Sequence, residues 1–462
     1  MTAITMIIAA LGSGLVILAQ PIWGLIIYIT LLAWYPSYLK VSLSGIDFSV
    51  GRIIILAVFL RILMHSELLS RFRLNTADKL IIVYFAAQTV AGMFTESEFN
   101  AFIVNRGGAA FDMALPYFAF RIVVCSAQDY RKLFKGILFT LGPLAMIGLY
   151  QSFTGVNPFG FMQKFASTGR LPDYTPLPRH GFYRANLTFG VSIMSGLFFA
   201  MLGTAAIGLI PAKDSPARRW WLIGLICMAA GVFSSISSGS WLVGMVAVMF
   251  VFFYPYRKYW RGALFAIVML LLSVEIYSNR NFYDVLGSFT LNPRSAWYRA
   301  QLIEVALFKG GMEDHWLAGY GHEDPGWSKQ IDNRDHTDMV NHYLMVLSRY
   351  GLLGLIPFMA LLYFVLKYLY LAFQMARNFA GKFMVWGLTG AILGTMATFF
   401  SCSLFSQPST AFYVLLALGA SMPTIVARSE FARRRAFFEE HKRMLAMTQD
   451  TGASKVPAQQ TV

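Results

Sequence analysis

Residues Asp335–Leu355 read DHTDMVNHYLMVLSRYGLLGL, and the change of character inside this stretch decides the fold class. Its first part carries Asp335, His336, Asp338, Asn341 and His342. Its second part is almost wholly hydrocarbon and leads into an apolar run over 353–373. About 20 apolar residues cover the hydrocarbon core of a bilayer as a helix, so this run predicts a membrane span. The polar part stands at the lip of that span, where scarce polar chemistry needs a chemical reason.

Outward from this stretch the same apolar pattern recurs. The chain has 462 residues, 57% hydrophobic and 13% charged, well below the roughly 25% charge of a soluble domain. Apolar runs fall at 4–19, 22–35, 51–64, 78–95, 109–125, 133–153, 186–210, 219–236, 240–255, 261–277, 353–373, 380–404 and 408–427. The fold class expected is an all-α polytopic membrane protein with about 12–13 transmembrane helices and a large, partly helical outer loop. MTAITMIIAALGSGLVILA at the start lacks a basic segment and runs on into apolar sequence, unlike a cleavable signal. Cys125, Cys227 and Cys402 are too dispersed for a metal site or a disulfide framework.

The net charge of +15 does not imply a nucleic-acid partner. The connectors HSELLSRFRLNTADK, AQDYRKLFK, PAKDSPARRWW, YPYRKYWRG and QMARNFAGK are basic, as is the tail ARSEFARRRAFFEEHKRM. Lysine and arginine collect on the cytoplasmic side of membrane proteins. Placing these segments there leaves 96–108, 155–185 and 278–340 on the outer side. Thirteen crossings put the N-terminus outside; twelve put it inside and require one early segment to be short or re-entrant. Four regions follow: N-terminal spans over 1–277 including the outer loop 155–185, a large outer loop with the active-site segment over 278–352, C-terminal spans over 353–427, and a basic tail over 428–462. The terminal TQDTGASKVPAQQTV is polar, without apolar periodicity, and reads as disordered.

The outer segments also hold Arg170, Arg179, Arg184, Arg280, Arg294, Arg299 and Arg334, with His180, His315, His322, His336 and His342 in or beside them. Topology alone would leave outer loops poor in arginine. Guanidinium groups bind phosphate through paired, charge-assisted hydrogen bonds, so an anionic ligand such as a lipid pyrophosphate accounts for them. Headgroup anchoring by snorkelling is the plainer reading of any single one. His336 and His342 are not spaced to share a helix face as a metal pair would, and neither HExxH nor an Asp-x-Asp pair is present, so no metal and no cofactor is expected. A histidine suits a general base, and Asp338 either orients it or is itself the base. Phosphate loops, dinucleotide glycine patterns and Gly-x-Ser-x-Gly elbows are missing. SSISSGSW (Ser234–Trp241) reads as a tight turn between packed helices.

Asn341, nine residues, then GLLG (Gly351–Gly354) resembles the signature of the O-antigen ligase and polymerase superfamily, His-Asn, nine residues, Gly-x-x-Gly. RHGFYRANLTFG (Arg179–Gly190), SSISSGSWLVGMVAV, NPRSAWYRAQLIEVALFKG and LAGYGHEDPG are similar to family segments in the same order, and LPYFAFRIVVCSAQDYRKL resembles the middle region of exopolysaccharide-type polymerases. The family's histidine column falls on Val340. His336 shares a face with position 340 if this segment is helical; if helix starts only near Asn341, His342 is equally a candidate.

The resemblance implies an integral glycosyltransferase of the C type in the bacterial inner membrane, with its active site facing the periplasm. It implies an undecaprenyl-pyrophosphate-linked glycan donor and acceptor, with a chain-length regulator and a flippase as partners. It implies a polymerase joining the repeat units of a surface polysaccharide without a metal, Arg184 and Arg299, then Arg294 and Arg179, holding pyrophosphate. His336, His342 or Asp338 serves as the base beside Asn341. Tyr298, Trp297 and Trp327 are candidates for stacking on sugar. Two rivals stand: a ligase moving glycan to lipid A core or protein, and a lipid-linked glycan transporter. A transporter would place charges within its spans, as only Asp112 and Glu275 suggest.

Overall fold

The computed structural model describes residues 2–43, 46–166, 178–277 and 293–452. Arg170, Arg280 and the tail beyond Gly452 lie outside them, as do the side chains of Arg294 and Glu275. The chain is helical, with a two-stranded hairpin, β1 (Lys40–Leu43) and β2 (Ile46–Ser49), as its sheet among the described residues. The helices are α1 (Thr2–Leu18), α2 (Pro21–Trp34), α3 (Val50–Leu63), α4 (Ser66–Arg71), α5 (Thr76–Thr95), α6 (Phe99–Ala109), α7 (Leu115–Val123) and α8 (Ala127–Thr154). After the loop come α9 (Ser192–Ile207), α10 (Ala217–Ser234), α11 (Ser238–Phe252), α12 (Trp260–Tyr277), α13 (Pro293–Phe308), α14 (Trp327–Ile331), α15 (His342–Met375), α16 (Phe379–Thr398) and α17 (Ser406–Gly452).

Four of the described helices are long and apolar enough to cross a membrane: Thr76–Thr95, Ala127–Thr154, His342–Met375 and Ser406–Ala436. A bent pair, Ser238–Phe252 with Tyr254–Leu270, qualifies as a fifth if it is one span. The remaining expected spans are helices that are shorter or less apolar, packed among these. α2 and α3 have 14 residues each, about 21 Å at 1.5 Å per residue. The run expected at 186–210 becomes helix only at Ser192. Leu11, Phe139, Ile226, Met249 and Ile356 face outward, as lipid-facing side chains of a multi-pass membrane protein do.

Small residues let the helices approach. A Cβ on Gly208, at the end of α9, would stand 2.5 Å from the Phe383 carbonyl of α16. One on Gly394 of α16 would stand 2.7 Å from the Val243 carbonyl of α11. Close backbone approach of this kind replaces the hydrophobic drive that is missing between helices in lipid. The ends are capped from side chains: Asn75 and Asp78 form a reciprocal capping box on α5, and Ser126 caps α8. Each accepts from an amide that helix geometry leaves without a partner.

The hydrogen bonds define two ends. α5 and α8 start at one; α15 and α17 start at the other, and the Thr76 amide bonds to the Tyr368 hydroxyl deep along α15. Arg61 donates to the Ala19 carbonyl, and Thr5 shares a hydrogen bond with Tyr35, so α1 and α2 form a hairpin running the depth of the bundle. The start of α1 therefore lies beside the end of α2, which Thr188 meets through the Ala33 carbonyl.

α15 begins at His342, well before the apolar run, because Asn341 caps it by accepting from the Leu344 amide. It breaks at Gly351, where φ is 57° and ψ is −158°. The break frees backbone groups, and the segment Trp316–Gly321 takes them. Tyr320 and Gly321 donate to the Ser348 and Arg349 carbonyls, while the Leu352 and Leu353 amides donate to Trp316 and Leu317. A Cβ on Gly351 would meet the Leu317 carbonyl oxygen at 2.2 Å, and one on Gly319 the Ser348 carbonyl at 2.5 Å. Both positions have positive φ, so glycine is required twice over. LAGYG and GLLG are two halves of one joint. It fixes a cap, residues 309–341, which closes with α13 and α15 around a small core of Tyr298, Leu302, Met312, Trp327, Leu344 and Leu347.

Candidate active site

The loop after α8 brings in the first arginines. His180 and Gly181 both have positive φ, and Arg179 and Phe182 exchange backbone hydrogen bonds across them. This is a tight primed turn, which makes His180 a turn residue. Tyr183 then donates to the Ser152 carbonyl and Ala185 to the Ser234 carbonyl. Gln151 holds both Asn186 and the Leu187 amide. Arg184 is thereby set rigidly at the meeting point of α8 and α10.

Arg299 arrives from α13 and donates from Nε to the Ser401 carbonyl at 2.9 Å. Thr398, just before, donates to the Gly239 carbonyl, so this loop lies on the serine turn between α10 and α11. Within that turn Ser235 and Ser240 share a hydrogen bond of 2.7 Å, and a Cβ on Gly196 would collide with both. The serines are a packing floor. Arg184, from the loop after α8, and Arg299, from α13, come to this floor from different parts of the chain.

Electrostatically the arginines form one group. Burial, then the neighbouring Arg179 charge, push the Arg184 guanidinium down to about 10. Burial lowers Arg299 as well; the charge of Asp338 offsets part of this and that of Arg179 adds to it. Both remain cationic at neutral pH. Arg184 Nε is buried without a hydrogen-bond partner, and no described carboxylate forms an ion pair with Arg179, Arg184 or Arg299. Buried charge without a partner is costly. An anion bound between the three would remove that cost.

The other predicted residues divide by surroundings. Residues 335–341 are not helical. Asp338 is exposed, its charge acts on Arg299, and its amide donates to the Tyr298 hydroxyl at 3.1 Å. His336 is largely exposed and pairs through Nδ1 with Asp324, 2.5 Å away. Asp324 also accepts from the Gly326 and Thr337 amides. Burial raises its carboxyl, but those hydrogen bonds and His336 outweigh it and hold the group below the usual range. His342 is buried between Phe358 and Phe399, and its Nδ1 accepts from the Leu404 amide. Asn341 is a buried helix cap, and Val340 packs against the cap's small core. Trp327 is buried and donates to the Gly311 carbonyl, while Trp297 is exposed.

The geometry thus joins Arg179, Arg184, Arg299 and Asp338 and leaves His342 in the interior. Sequence reasoning missed Asp324, although HEDPG is the spacing of an aspartate that caps its own turn. It also missed the Ser401 carbonyl, which has no side-chain signal. Among the described residues no three His, Cys, Asp or Glu side chains gather as a metal set.

Residues 223–359 match the O-antigen ligase family model. The match covers α10 to the first part of α15, including the serine turn, Arg299, Asp338 and the Gly351 break. It supports the O-antigen ligase and polymerase superfamily. No curated protein matches the chain.

Proposed function

With residues 223–359 as an O-antigen ligase family region, we propose that this chain polymerises undecaprenyl-pyrophosphate-linked repeat units at the periplasmic face of a bacterial inner membrane. The observation that carries the reading is the set of three arginines that form no ion pair with a carboxylate among the described residues. In the reaction, an acceptor hydroxyl oxygen attacks the anomeric carbon of the donor sugar. The bond from that carbon to the phosphate oxygen breaks, and its electron pair leaves with the lipid pyrophosphate. Arg179, Arg184 and Arg299 stabilise the charge that grows there, in the role a divalent ion would otherwise fill. Turnover in EDTA is expected for that reason. Asp338, the exposed carboxylate beside Arg299, takes the hydroxyl proton. The Arg294 backbone starts the same helix as Arg299, so it remains a candidate for the same anion. His336 is held by Asp324, and His342 and Asn341 act by positioning the loop.

Val340 at the family's histidine column favours polymerase over ligase. A chain-length regulator and a flippase supplying the lipid-linked units are the partners this role requires. The test is Arg184→Lys and Arg299→Lys in a deletion strain, with membrane levels and elution profile as controls. Lysine keeps the charge but loses the paired planar donors, and about a 100- to 1000-fold loss of rate is expected. Single repeat units on the deletion strain's surface support a polymerase, whereas lipid-retained long chains mean a ligase. Full-length polymer at normal rates from both variants would rule out the anion role.

A further inference from the structure

A second polar cluster lies at the same end, between the α5–α6 turn, the cap segment Tyr320–Glu323 and α15. Glu96 and Arg106 are buried, with side chains 5% and 8% exposed. Asn105 donates to Glu96 Oε2 at 2.9 Å. Glu96 Oε1 stands 3.8 Å from Arg106 and 3.9 Å from His322 Nε2, too far for a hydrogen bond to either. Arg106 reaches the Tyr350 hydroxyl at 3.4 Å and lies over that ring. Glu96 Oε1 and Arg106 Nε and Nη1 are all buried without hydrogen-bond partners. The 3.8 Å gap runs from Glu96 Oε1 to Arg106 Nη2, and it leaves one acceptor and two donors of the cluster withdrawn from water and unpaired, groups that a ligand oxygen would satisfy.

We propose that Glu96, Asn105, Arg106, His322 and Tyr350 form a subsite for hydroxyl groups of the acceptor glycan, a proposal that rests on the glycosyltransferase reading above. The chemistry selects the ligand class. Glu96 repels an anion, while Arg106 and the nearby Arg349 repel a cation. A hydroxyl both donates and accepts, so it satisfies the carboxylate and the guanidinium together. Burial, then Arg349 and Arg106, push His322 down to about 4, so its imidazole is neutral and also able to donate and accept. The Tyr350 and His322 rings stand edge to face beside the gap, giving apolar surface for a sugar face. His322, a third exposed, is the outer wall. Gly319 and Gly321, both with positive φ, lead into it.

Position argues for the acceptor. His322 and Asp324 are two residues apart on the cap, at most about 7 Å of chain. One faces Glu96; the other holds His336, two residues before Asp338. A glycan seated on the Glu96 cluster lies within reach of the proposed base.

The test uses the full chain in detergent and, as probe, the oligosaccharide repeat unit released by mild acid from the cell's own lipid-linked pool. Binding is read by saturation-transfer NMR, and turnover as separate KM values for acceptor and donor. Loss of a hydrogen bond to a charged group predicts acceptor KM and free-glycan affinity weakened about 10- to 100-fold in Glu96→Gln and Arg106→Gln. kcat and donor KM stay within about threefold, a split that loss of packing would not produce. His322→Asn, at the exposed wall, is the variant least able to disturb packing, and its acceptor KM rises too. Arg299→Lys binds the free glycan normally. Wild-type protein that polymerises without binding the free glycan overturns the subsite and leaves the polymerase reading standing. Variants that bind it with wild-type affinity also overturn it, and mark the cluster as a hydrated ion pair. Glycan binding lost in the variants supports the subsite even if wild type fails to polymerise, a failure that would sink the other reading alone.

Discussion

Arg121 and Arg184 are both withdrawn from water, at opposite ends of α8, and the fold treats them in opposite ways. Arg121 has every surrounding it needs. Its Nε donates to Asp78 at 3.1 Å, its Nη2 to the Arg73 carbonyl, and it lies over the Phe72 ring. Asp78 in turn accepts from the Tyr117 hydroxyl and the Asn75 amide. Arg184 has a buried Nε without a hydrogen-bond partner, and the charge that acts on it is another arginine, Arg179. A closed pair fastens helices. An open group of cations is costly to the empty fold and useful only to a ligand. Membrane arginines are therefore sorted by their partners, and burial alone does not distinguish them.

If that contrast holds, variants at the two ends fail in different assays. The largest effect is expected at Asp338. Asp338→Asn removes the carboxylate proposed to take the acceptor proton, and general-base contributions run to about 10²- to 10⁴-fold in rate. Its melting midpoint should stay at the wild-type value, because the side chain is exposed. His336→Asn, by comparison, should lose less activity. A larger loss at His336 than at Asp338 would move the base to the His336–Asp324 pair.

Next comes the closed end. Arg121→Met leaves Asp78 as an uncompensated buried charge, at a cost of about 3–5 kcal/mol. Denaturation in detergent should show it, while the protein that remains folded turns over normally. Asp78→Asn should behave in kind. A stable Arg121→Met protein with impaired turnover would break the comparison, since it would give the closed pair a catalytic role.

The smallest effect joins the two measures. Asn341→Ala removes the cap of α15, worth about 1 kcal/mol. The same residue sets the start of the helix that follows the Asp338 segment, so a several-fold drop in rate should accompany the small loss of stability. Loss of stability with unchanged rate would show that the Asp338 segment is placed by the cap core alone.

Composition and apolar run length were enough for the membrane class and helical fold, because lipid leaves few ways to satisfy a backbone. The excess of arginine over 155–185 and 278–340 was legible too, and it marked the region of the proposed site, because a charge placed against the topological trend asks for a ligand. Asn341 and Gly351–Gly354 were legible as a motif, but their roles were not. A helix cap and a helix break that accepts a strand of cap backbone depend on what packs there. Sequence spacing could not choose among His336, His342 and Asp338, since the segment is not helical and face arguments do not apply to it. Tertiary structure put His342 among phenylalanines, tied His336 to Asp324, and left Asp338 beside Arg299. It likewise paired Arg121 and left Arg184 open. The sequence determines which groups must find partners; only the packing of distant segments decides which of them do, because partnership is set by distances of a few ångströms that chain separation does not encode.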